Sequence, residues 1–316
     1  MTDFVEVRRE KIPLLVGVAG GTGSGKTMSA LLLARGMSGG QPFAFVDTEN
    51  GRGKHYADLF PEMRWGAITA PFRPNKYADA ITAGASQFPV VVVDSASHEW
   101  AGDGGCLDWH DDLMGGDQKK NLSAWIEPKK QHKRMVTQLL QVGAHVILCF
   151  RAEAKVEQVK NGQGKWEIAP KKSLTGLDGW IPISEKNLPY ELTSSFLLMA
   201  DKPGVPRPIK LQEQHRSMVP LDRPLSEETG RLLAAWAAGE GTPAAAEQQE
   251  ATPAGSAAGP TDIQQRLLAS AAEHGLDGKQ ARDILIAVTG QPSSKFVDES
   301  QVDAVLDAFA SAGAPA

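Results

Sequence analysis

The sequence lacks the features that would place the protein in a membrane or outside the cell. Its 316 residues include only two cysteines, Cys106 and Cys149, too few for the disulfide framework of small secreted domains. No run of 18 apolar residues is present, so we expect no membrane-spanning helix and no membrane partner. The N-terminal segment MTDFVEVRREKIPLL carries charges where a signal peptide has its apolar stretch. These absences predict a protein of the cytoplasm.

One segment also lacks the side chains needed to form a core. Apart from Ala and Pro, residues 239–260 contain no aliphatic or aromatic side chain, so they cannot offset the entropy lost on ordering. The sequence therefore predicts a folded domain over residues 1–238, a flexible linker over 239–260 and a small helical domain over 261–316. In the last of these, apolar residues recur at helical spacing in three short stretches.

The net charge of −5 hides an uneven distribution along the chain. Residues 239–316 carry 4 basic and 11 acidic side chains, whereas Lys119–Lys172 carries 12 basic and 4 acidic ones. A basic segment of this density is compatible with a polyanionic partner even in an acidic protein. A solvated helical face would explain the same charges, so charge alone leaves both interpretations open.

The first 238 residues alternate between short apolar runs and helical patterns. Continuous apolar runs, typical of buried parallel strands, occur at Leu14–Ala19, Phe43–Val46, Pro89–Val93 and His145–Phe150. Helical patterns occur at Thr27–Met37, Lys76–Gln87, Pro128–Val142 and Ser226–Ala238, and two later strands are expected at Glu191–Met199 and Pro206–Leu211. This alternation predicts an α/β domain whose mainly parallel sheet is covered by helices on both faces.

A glycine-rich segment between the first strand and the first helix fits the pattern G-x-x-x-x-G-K-[ST]. It consists of Gly20, Gly21, Thr22, Gly23, Ser24, Gly25, Lys26 and Thr27. The glycines allow backbone N–H groups to surround phosphates, and the following helix adds the positive end of its dipole. Lys26 is expected to reach the β- and γ-phosphates and Thr27 to ligate Mg²⁺. The segment therefore predicts binding of a nucleoside triphosphate.

Two later strands end in carboxylates that such a site needs. Asp94 follows the apolar run Pro89–Val93 and is the natural second residue for holding Mg²⁺. Asp47 and Glu49 follow the strand that begins at Phe43, and Glu49 is the candidate base for an attacking water. Asp47 is either a helper or a cap of the strand end. A solvent-exposed loop acid is the alternative interpretation of Glu49.

The order of these motifs resembles the RecA-type ATPase core, and more closely the RecA-like ATPases of bacteriophages and prophages. The resemblance rests on four segments, read GGTGSGKT, FAFVDTEN, VVVVDSASHEW and VILCFRAEAK. Three further stretches support the phage type, at Asp47–Tyr56, Trp125–Arg134 and Leu188–Thr193. The resemblance covers about residues 12–238, and the C-terminal residues loosely resemble helical modules of phage recombination proteins.

The resemblance implies more than the motifs do by themselves. It implies ATP as the nucleotide, the bacterial host cytoplasm as the location and Glu49 as the catalytic glutamate. Arg151 stands at the position that senses the γ-phosphate, where RecA itself has glutamine, so charge stabilisation is a second possible role. A ring or filament of identical subunits is implied too. In that case a basic residue such as Arg207 or Lys210 would act on a neighbour's nucleotide.

The segment after Arg151 combines a hairpin signal with basic and aromatic residues. Asn161-Gly162 separates two stretches of β character. The expected nucleic-acid residues are Lys155, Lys160, Lys165, Trp166, Lys171 and Lys172. Lysines can follow a single-strand backbone while a ring stacks on a base, and the corresponding RecA loop binds DNA. An ordinary surface hairpin with Trp166 packed on the sheet is the alternative.

Together these features predict an Mg²⁺-dependent ATPase coupled to single-stranded DNA in phage recombination, repair or replication. An ATP-gated scaffold or loader without catalysis is one alternative, and a P-loop nucleotide or small-molecule kinase is another. The acidic C-terminal domain is expected to recruit a recombination or replication protein rather than bind phosphates. Cys106 and His110 have metal-ligand chemistry, but no second pair stands at ligand spacing, and we assign them to a loop.

Overall fold

The computed structural model describes residues 12–160, 162, 164–170, 179–239, 262–289 and 299–312. Its strands are β1 (Leu15–Gly20), β2 (Phe43–Asp47), β3 (Met63–Ala67), β4 (Val90–Asp94), β5 (His145–Ala154), β6 (Val156–Lys160), β7 (Trp166–Pro170), β8 (Trp180–Pro182), β9 (Ser194–Met199) and β10 (Lys202–Lys210). Its helices in the larger part of the chain are α1 (Lys26–Met37), α2 (Pro74–Ala85), α3 (Ser97–Ala101), α4 (Cys106–Met114), α5 (Asn121–Ala124), α6 (Ile126–Leu139), α7 (Leu188–Glu191) and α8 (Glu227–Ala237).

The main sheet has the strand order β10-β9-β1-β5-β4-β2-β3, with β8 paired to the far end of β5. The pairs from β9 through β3 are parallel, and antiparallel pairs occur at β9–β10 and β5–β8. Strand β5 therefore lies between the strand that precedes the glycine-rich loop and the strand that ends at Asp94. Because the parallel strands run in the same direction, the ends of β1, β2 and β4 meet at one edge.

Helices cover both faces of this sheet, because successive side chains of a buried strand point to opposite sides. On one face Val16 and Val18 of β1 pack with helix residues that include Leu31 of α1 and Leu233 of α8. On the other face Leu15 packs in a second core, to which α2 contributes Tyr77 and α6 contributes Met135 and Leu139 among others. The predicted α/β core, with a mainly parallel sheet covered by helices on both faces, is thus confirmed.

The structure differs from the expectation in a few elements. Strand β3 was not anticipated, because most of its residues are exposed and the stretch MRWGA shows no apolar run. Strand β5 continues beyond Phe150 to Ala154, since β8 pairs with its extension. The expected strand over Glu191–Met199 begins only at Ser194, because Glu191 belongs to α7.

Contacts along the chain define a second unit, Glu247–Ala316, besides Met1–Ala246. Within it, α9 (Asp262–Glu273), α10 (Gly278–Thr289) and α11 (Glu299–Ala312) form the predicted small helical module. They enclose a core made of Leu267, Ala271, Leu285, Val302, Val305 and Phe309. The predicted linker falls almost wholly on residues 240–261, which lie outside the described residues. None of the helices in the described part is both long and apolar enough for a membrane crossing.

Helices α1 and α8 approach each other through glycines. A Cβ atom added at Gly36 would lie 1.9 Å from the Glu227 carbonyl oxygen, and one at Gly230 would lie 2.3 Å from that of Leu33. These distances are far below van der Waals contact with backbone atoms that cannot rotate away. The close packing of α8 against the helix that follows the glycine-rich loop therefore requires glycine at both positions.

We expect Gly36→Ala to lower the free energy of unfolding by about 1–3 kcal/mol, because the added methyl group must push the α8 backbone away. Urea denaturation measures this loss. Gly143→Ala is the matched control, since a Cβ there meets no atom within 4 Å. We expect the control to stay within about 0.5 kcal/mol of the original protein. Equal stability of the two variants would contradict the close packing.

Candidate functional site

The glycine-rich loop leaves β1 and enters α1 in the conformation that its sequence predicts. Gly25 precedes α1 with φ of 84°, a left-handed value that favours glycine. At Gly20, a Cβ would lie 2.5 Å from the Leu198 carbonyl oxygen, so the strand end also requires glycine. The 12-residue helix α1 directs its N-terminus at this loop, which provides the positive dipole end for an anion.

Lys26 and Ser24 are both held by the loop backbone. The Gly21 carbonyl oxygen accepts a hydrogen bond of 2.8 Å from Lys26 Nζ and one of 2.9 Å from Ser24 Oγ. The Trp180 ring packs against Gly21, where an added Cβ would lie 3.4 Å from the ring. The Lys26 ammonium is therefore held against the glycine-rich loop rather than in bulk solvent.

Thr27 and Asp94 meet across the sheet. Thr27 Oγ1 donates a hydrogen bond of 2.6 Å to Asp94 Oδ2. Asp94 is buried, and burial raises its pKa to about 6, helped by the nearby charge of Glu49 and opposed by the hydrogen bond from Thr27. A hydroxyl and a carboxylate are the oxygen donors that Mg²⁺ prefers, so this pair fits the expected metal. The two predicted metal residues are thus brought together.

Glu49 is held by two arginines at the same edge. Arg151 donates to Glu49 Oε1 from Nη2 at 2.7 Å and from Nε at 3.2 Å, and Arg52 donates to Oε2 at 3.4 Å. Burial acts to raise the pKa of Glu49, but the hydrogen bonds and charges of the arginines outweigh it and lower the pKa below its ordinary value. The Glu49 side chain is 19% exposed, so the interpretation as a solvent-exposed loop acid is wrong.

Asp47 caps the end of β2 through both of its carboxylate oxygens. Its Oδ1 accepts from the backbone N–H groups of Glu49 and Gly51 at 2.6 and 3.3 Å. Its Oδ2 accepts from Gly53 N at 2.9 Å and from Trp65 Nε1 at 3.2 Å. Both oxygens are therefore used to fold residues 49–53 into the turn that presents Glu49. Of the two roles that the sequence left open, the cap is the one observed.

Residues that follow β4 form hydrogen bonds with the segments that carry Glu49 and Arg151. Ser95 N donates to Thr48 Oγ1 at 2.8 Å, and the same oxygen lies 2.8 Å from His98 Nδ1. Ser97 Oγ accepts from Arg151 N at 2.9 Å. Burial and then the charge of Arg151 lower the pKa of His98, which favours its neutral form. The start of α3 thus supports the segments that carry both Glu49 and Arg151.

A cavity of about 270 Å³ opens beside the glycine-rich loop. Its lining is Thr27, Phe45, Asp47, Glu49, Arg52, Gly53, His55, Tyr56 and Asp94. The predicted catalytic glutamate and both predicted metal residues therefore border one space.

The predicted hairpin is present, with β6 and β7 paired antiparallel. Trp166 is 65% exposed, so the interpretation in which it packs on the sheet is wrong. Lys160 Nζ lies 5.2 Å from the centre of the Trp166 ring, and the two residues are partners across the strands. Lys155 and Lys165 are exposed on the same segment. Lys171 and Lys172 lie outside the described residues.

The remaining candidate residues occupy other parts of the domain. Arg207 is exposed on β10 and lies 3.5 Å from Asp201, whereas Lys210 donates to the Tyr190 carbonyl oxygen at 2.6 Å. Cys106 and His110 lie on α4 and not in a loop, which corrects the expectation. Their side chains have different partners, since His110 contacts Asp111 and Asn121 while Cys106 contacts Glu99.

A match to one protein family agrees with this site. Residues 13–182, more than half of the chain, match a family described as AAA domain. Among solved structures, a KaiC-like protein from the hyperthermophilic archaeon Pyrococcus horikoshii OT3 matches with 15% identity and a TM-score of 0.28, over 56% of this chain and 99% of that one. No curated protein matches the sequence. The matched family and the α/β fold support a P-loop nucleotide-binding ATPase type.

Three residues at the site were not singled out by sequence reasoning. Ser97 and His98 lie in the segment VVVVDSASHEW that follows the strand, but no spacing rule connects them to Glu49 or Arg151. Trp180 reaches Gly21 only because β8 pairs with the extension of β5. Gly21 and Trp180 are far apart in the sequence, so no local sequence pattern predicts their contact.

The raised pKa of Asp94 predicts a pH-dependent stability in EDTA. The folded protein holds this proton up to about pH 6 whereas the unfolded chain releases it near pH 3.8, so stability falls as pH rises through that window. Asp94→Asn carries no charge, and we expect it to be more stable than the original by about 1–3 kcal/mol near pH 7.5. The difference should shrink near pH 5, as measured by urea denaturation.

Asp58→Asn is the control for this measurement, because Asp58 is exposed. We expect it to change stability by less than about 0.5 kcal/mol at either pH. If Asp94→Asn were instead less stable than the original protein near pH 7.5, the Asp94 carboxylate would be a net stabilising group, contrary to the prediction.

Proposed function

We propose that this chain, which belongs to the AAA domain family, is an Mg²⁺-dependent ATPase that couples hydrolysis to the binding of single-stranded DNA. The hydrolase activity is supported by one observation above all, the convergence of the phosphate loop, the Thr27–Asp94 pair and Glu49 at one edge of the sheet. The resemblance of its motifs to phage RecA-like ATPases suggests a role in phage DNA recombination, repair or replication.

The phosphates are bound by the chain's own groups. Backbone N–H groups at the start of α1 and the Lys26 ammonium contact the phosphate oxygens. Mg²⁺ would be held by the Thr27 hydroxyl, with Asp94 behind it, and would neutralise charge on the β- and γ-phosphates. The Thr27 hydroxyl donates a hydrogen bond to Asp94, so the lone pairs of its oxygen remain available to a ligand in the cavity.

Glu49 orients the attacking water. The water oxygen forms a bond to the γ-phosphorus, the bond between that phosphorus and the bridging oxygen of ADP breaks, and Glu49 accepts the water proton. Because its pKa is lowered, Glu49 is ionised at neutral pH and can accept this hydrogen bond. A γ-phosphate would compete with Glu49 for the Arg151 guanidinium, which leaves the carboxylate to the water and places Arg151 on the developing charge.

The exposed hairpin β6–β7 is the proposed contact for single-stranded DNA. The exposed Trp166 ring provides a stacking surface with Lys160 beside it, and Lys155 and Lys165 are further exposed cations of the same segment. Acidic side chains Glu157 and Glu167 lie on the same strands, so the stacking contact is expected to carry much of the affinity. This combination suits a backbone-following, sequence-tolerant mode of binding.

The hairpin base adjoins the nucleotide site, which supports coupling between the two. Arg151 and the residues that lead to the hairpin belong to one continuous strand, β5. The extension of β5 pairs with β8, whose Trp180 lies against Gly21 of the phosphate loop. A shift of the hairpin base would therefore move groups on two sides of the phosphates.

The assembly is proposed to be a ring or filament of identical subunits. Arg207 on the edge strand β10 is exposed, so it is the better placed of the two basic candidates to reach a neighbour's nucleotide. The helical module is proposed to recruit a recombination or replication protein through its acidic surface.

We expect Glu49→Gln to lower the rate of ATP hydrolysis by about 10²- to 10⁴-fold, because the amide cannot accept the water proton. Nucleotide affinity should change by less than about threefold, since Gln retains the shape and the contact with Arg151. Steady-state phosphate release and nucleotide binding measure the two quantities. Glu213→Gln, at an exposed glutamate, is the control. Unchanged turnover of Glu49→Gln would remove Glu49 from catalysis and favour a non-catalytic scaffold.

Single-stranded DNA should stimulate ATP hydrolysis, and the stimulation should weaken as salt rises from about 50 to 200 mM. We expect Trp166→Ala to weaken DNA affinity by about tenfold or more, because it removes the stacking surface. Its hydrolysis without DNA should stay unchanged. Fluorescence anisotropy of a labelled oligonucleotide and phosphate release measure both effects.

Two controls accompany this measurement. Tyr190→Ala removes another exposed aromatic ring, 57% exposed, and should leave DNA affinity unchanged. Lys26→Ala should abolish hydrolysis while DNA binding persists. Hydrolysis that is indifferent to DNA in the original protein would contradict the coupling and move the proposal toward the scaffold or kinase alternatives.

A further inference from the structure

Three buried side chains with metal-binding chemistry, one each from helices α3, α4 and α6, lie close together. Glu99 of α3, Cys106 of α4 and His132 of α6 are 2%, 0% and 7% exposed. Glu99 Oε1 lies 2.9 Å from His132 Nδ1 and 3.3 Å from Cys106 Sγ. The three ligand atoms all lie within 4.8 Å of one another. Among the described residues this is the one such group of His, Cys, Asp or Glu side chains.

The donor set suits one kind of metal. A thiolate, an imidazole and a carboxylate are the three ligand types of Zn²⁺, which binds sulfur at about 2.3 Å and nitrogen or oxygen at about 2.0–2.2 Å. Hard cations such as Mg²⁺ and Ca²⁺ prefer oxygen alone. We propose that Glu99, Cys106 and His132 bind one Zn²⁺ ion.

The two contacts that Glu99 makes are close in length to the spacing that coordination requires. Tetrahedral Zn²⁺ separates its ligand atoms by about 3.3–3.6 Å, so the Glu99 carboxylate must withdraw from His132 by about 0.5 Å. The Pro128 carbonyl oxygen lies 3.9 Å from Cys106 Sγ. It or a water would complete the fourth position.

Binding exchanges protons for the metal. In the hydrogen-bonded arrangement, Cys106 Sγ–H and His132 Nδ1–H both donate to the same carboxylate oxygen. A bound Zn²⁺ deprotonates a coordinating thiol outright, so the Cys106 proton leaves to solvent. A neutral His132 keeps its single ring proton, which must sit on Nε2 so that Nδ1 offers its lone pair to the metal. Glu99 keeps its role as the shared anionic partner.

The metal would fix the helices that support the catalytic edge. Its ligands lie on three separate helices, which metal binding would hold together. Helix α3 also carries Ser97, which accepts from Arg151 N, and His98, which contacts Thr48. The Zn²⁺ site therefore has a structural function and requires no part in ATP hydrolysis.

Cobalt provides a direct test, because Co²⁺ replaces Zn²⁺ and its bond to a thiolate gives a near-ultraviolet charge-transfer absorption that oxygen ligands do not give. The full-length protein is treated with chelator, freed of it, and titrated with Co²⁺ in excess Mg²⁺. We expect the thiolate band to saturate at one Co²⁺ per chain and to disappear when Zn²⁺ is added. Protein expressed with added zinc should contain one Zn²⁺ per chain by mass spectrometry.

Cys106→Ser should lose the band, and Cys149→Ser, at the other buried cysteine, should keep it. His132→Ala and Glu99→Gln should each weaken Co²⁺ binding at least about tenfold. Absence of the band in the folded original protein would by itself overturn the proposal, whatever the variants show. Glu99, Cys106 and His132 would then form only a hydrogen-bonded triad. Zinc retained in Cys106→Ser, or a band lost only in Cys149→Ser, would overturn it as well.

Discussion

The candidate site depends on one contact above all, the hydrogen bond from Thr27 to Asp94. Thr27 lies in the first turn of α1, which follows β1, and Asp94 ends β4; these two strands are not neighbours, because β5 lies between them. Their meeting requires a parallel sheet whose strand ends share one edge, and it requires the sharp glycine-dependent turn into α1. The bond also offsets part of the cost of a buried carboxylate, whose raised pKa records how unfavourable its charge is without a cation. A buried carboxylate whose charge is disfavoured in the absence of a cation is suited to binding Mg²⁺.

Opposite charge determines the other half of the site. Glu49 faces Arg151 and Arg52, and the lowered pKa that results keeps it ionised but makes it a weak base. In the proposed mechanism this carboxylate first orients the water, and it becomes basic enough to accept the water proton once a phosphate attracts Arg151 away. Asp47, only two residues earlier, has both oxygens committed to backbone and Trp65 donors. The difference between the two acids is thus one of hydrogen bonding, since their residue types are nearly the same.

The sequence predicted those parts of the molecule that depend on local patterns. Buried strands produce continuous apolar runs, and the phosphate loop must have glycine where φ is positive, so β1, β4, Gly25 and Lys26 were predictable. Strand β3 was not, because an exposed edge strand needs no apolar run. The grouping of Glu99 and Cys106 with His132 could not be predicted either. His132 lies on α6, 33 residues after Glu99, and reaches it only through the packing of that helix. Long-range contacts of this kind follow from the packing of whole elements and leave no periodicity to read.

The continuity of β5 bears most directly on how DNA binding could affect hydrolysis. A strand of the central sheet is rigid over its buried part, and His145–Phe150 is buried throughout. Beyond Ala152 the strand is exposed and has only β8 as its described partner, so this part can move more easily than the buried base. Arg151 lies at that boundary, held by Ser97 on its backbone and by Glu49 on its side chain. In the proposed mechanism, ordering of the hairpin on DNA would restrict this boundary and bias Arg151 between Glu49 and the phosphate, which is a change of population rather than of fold.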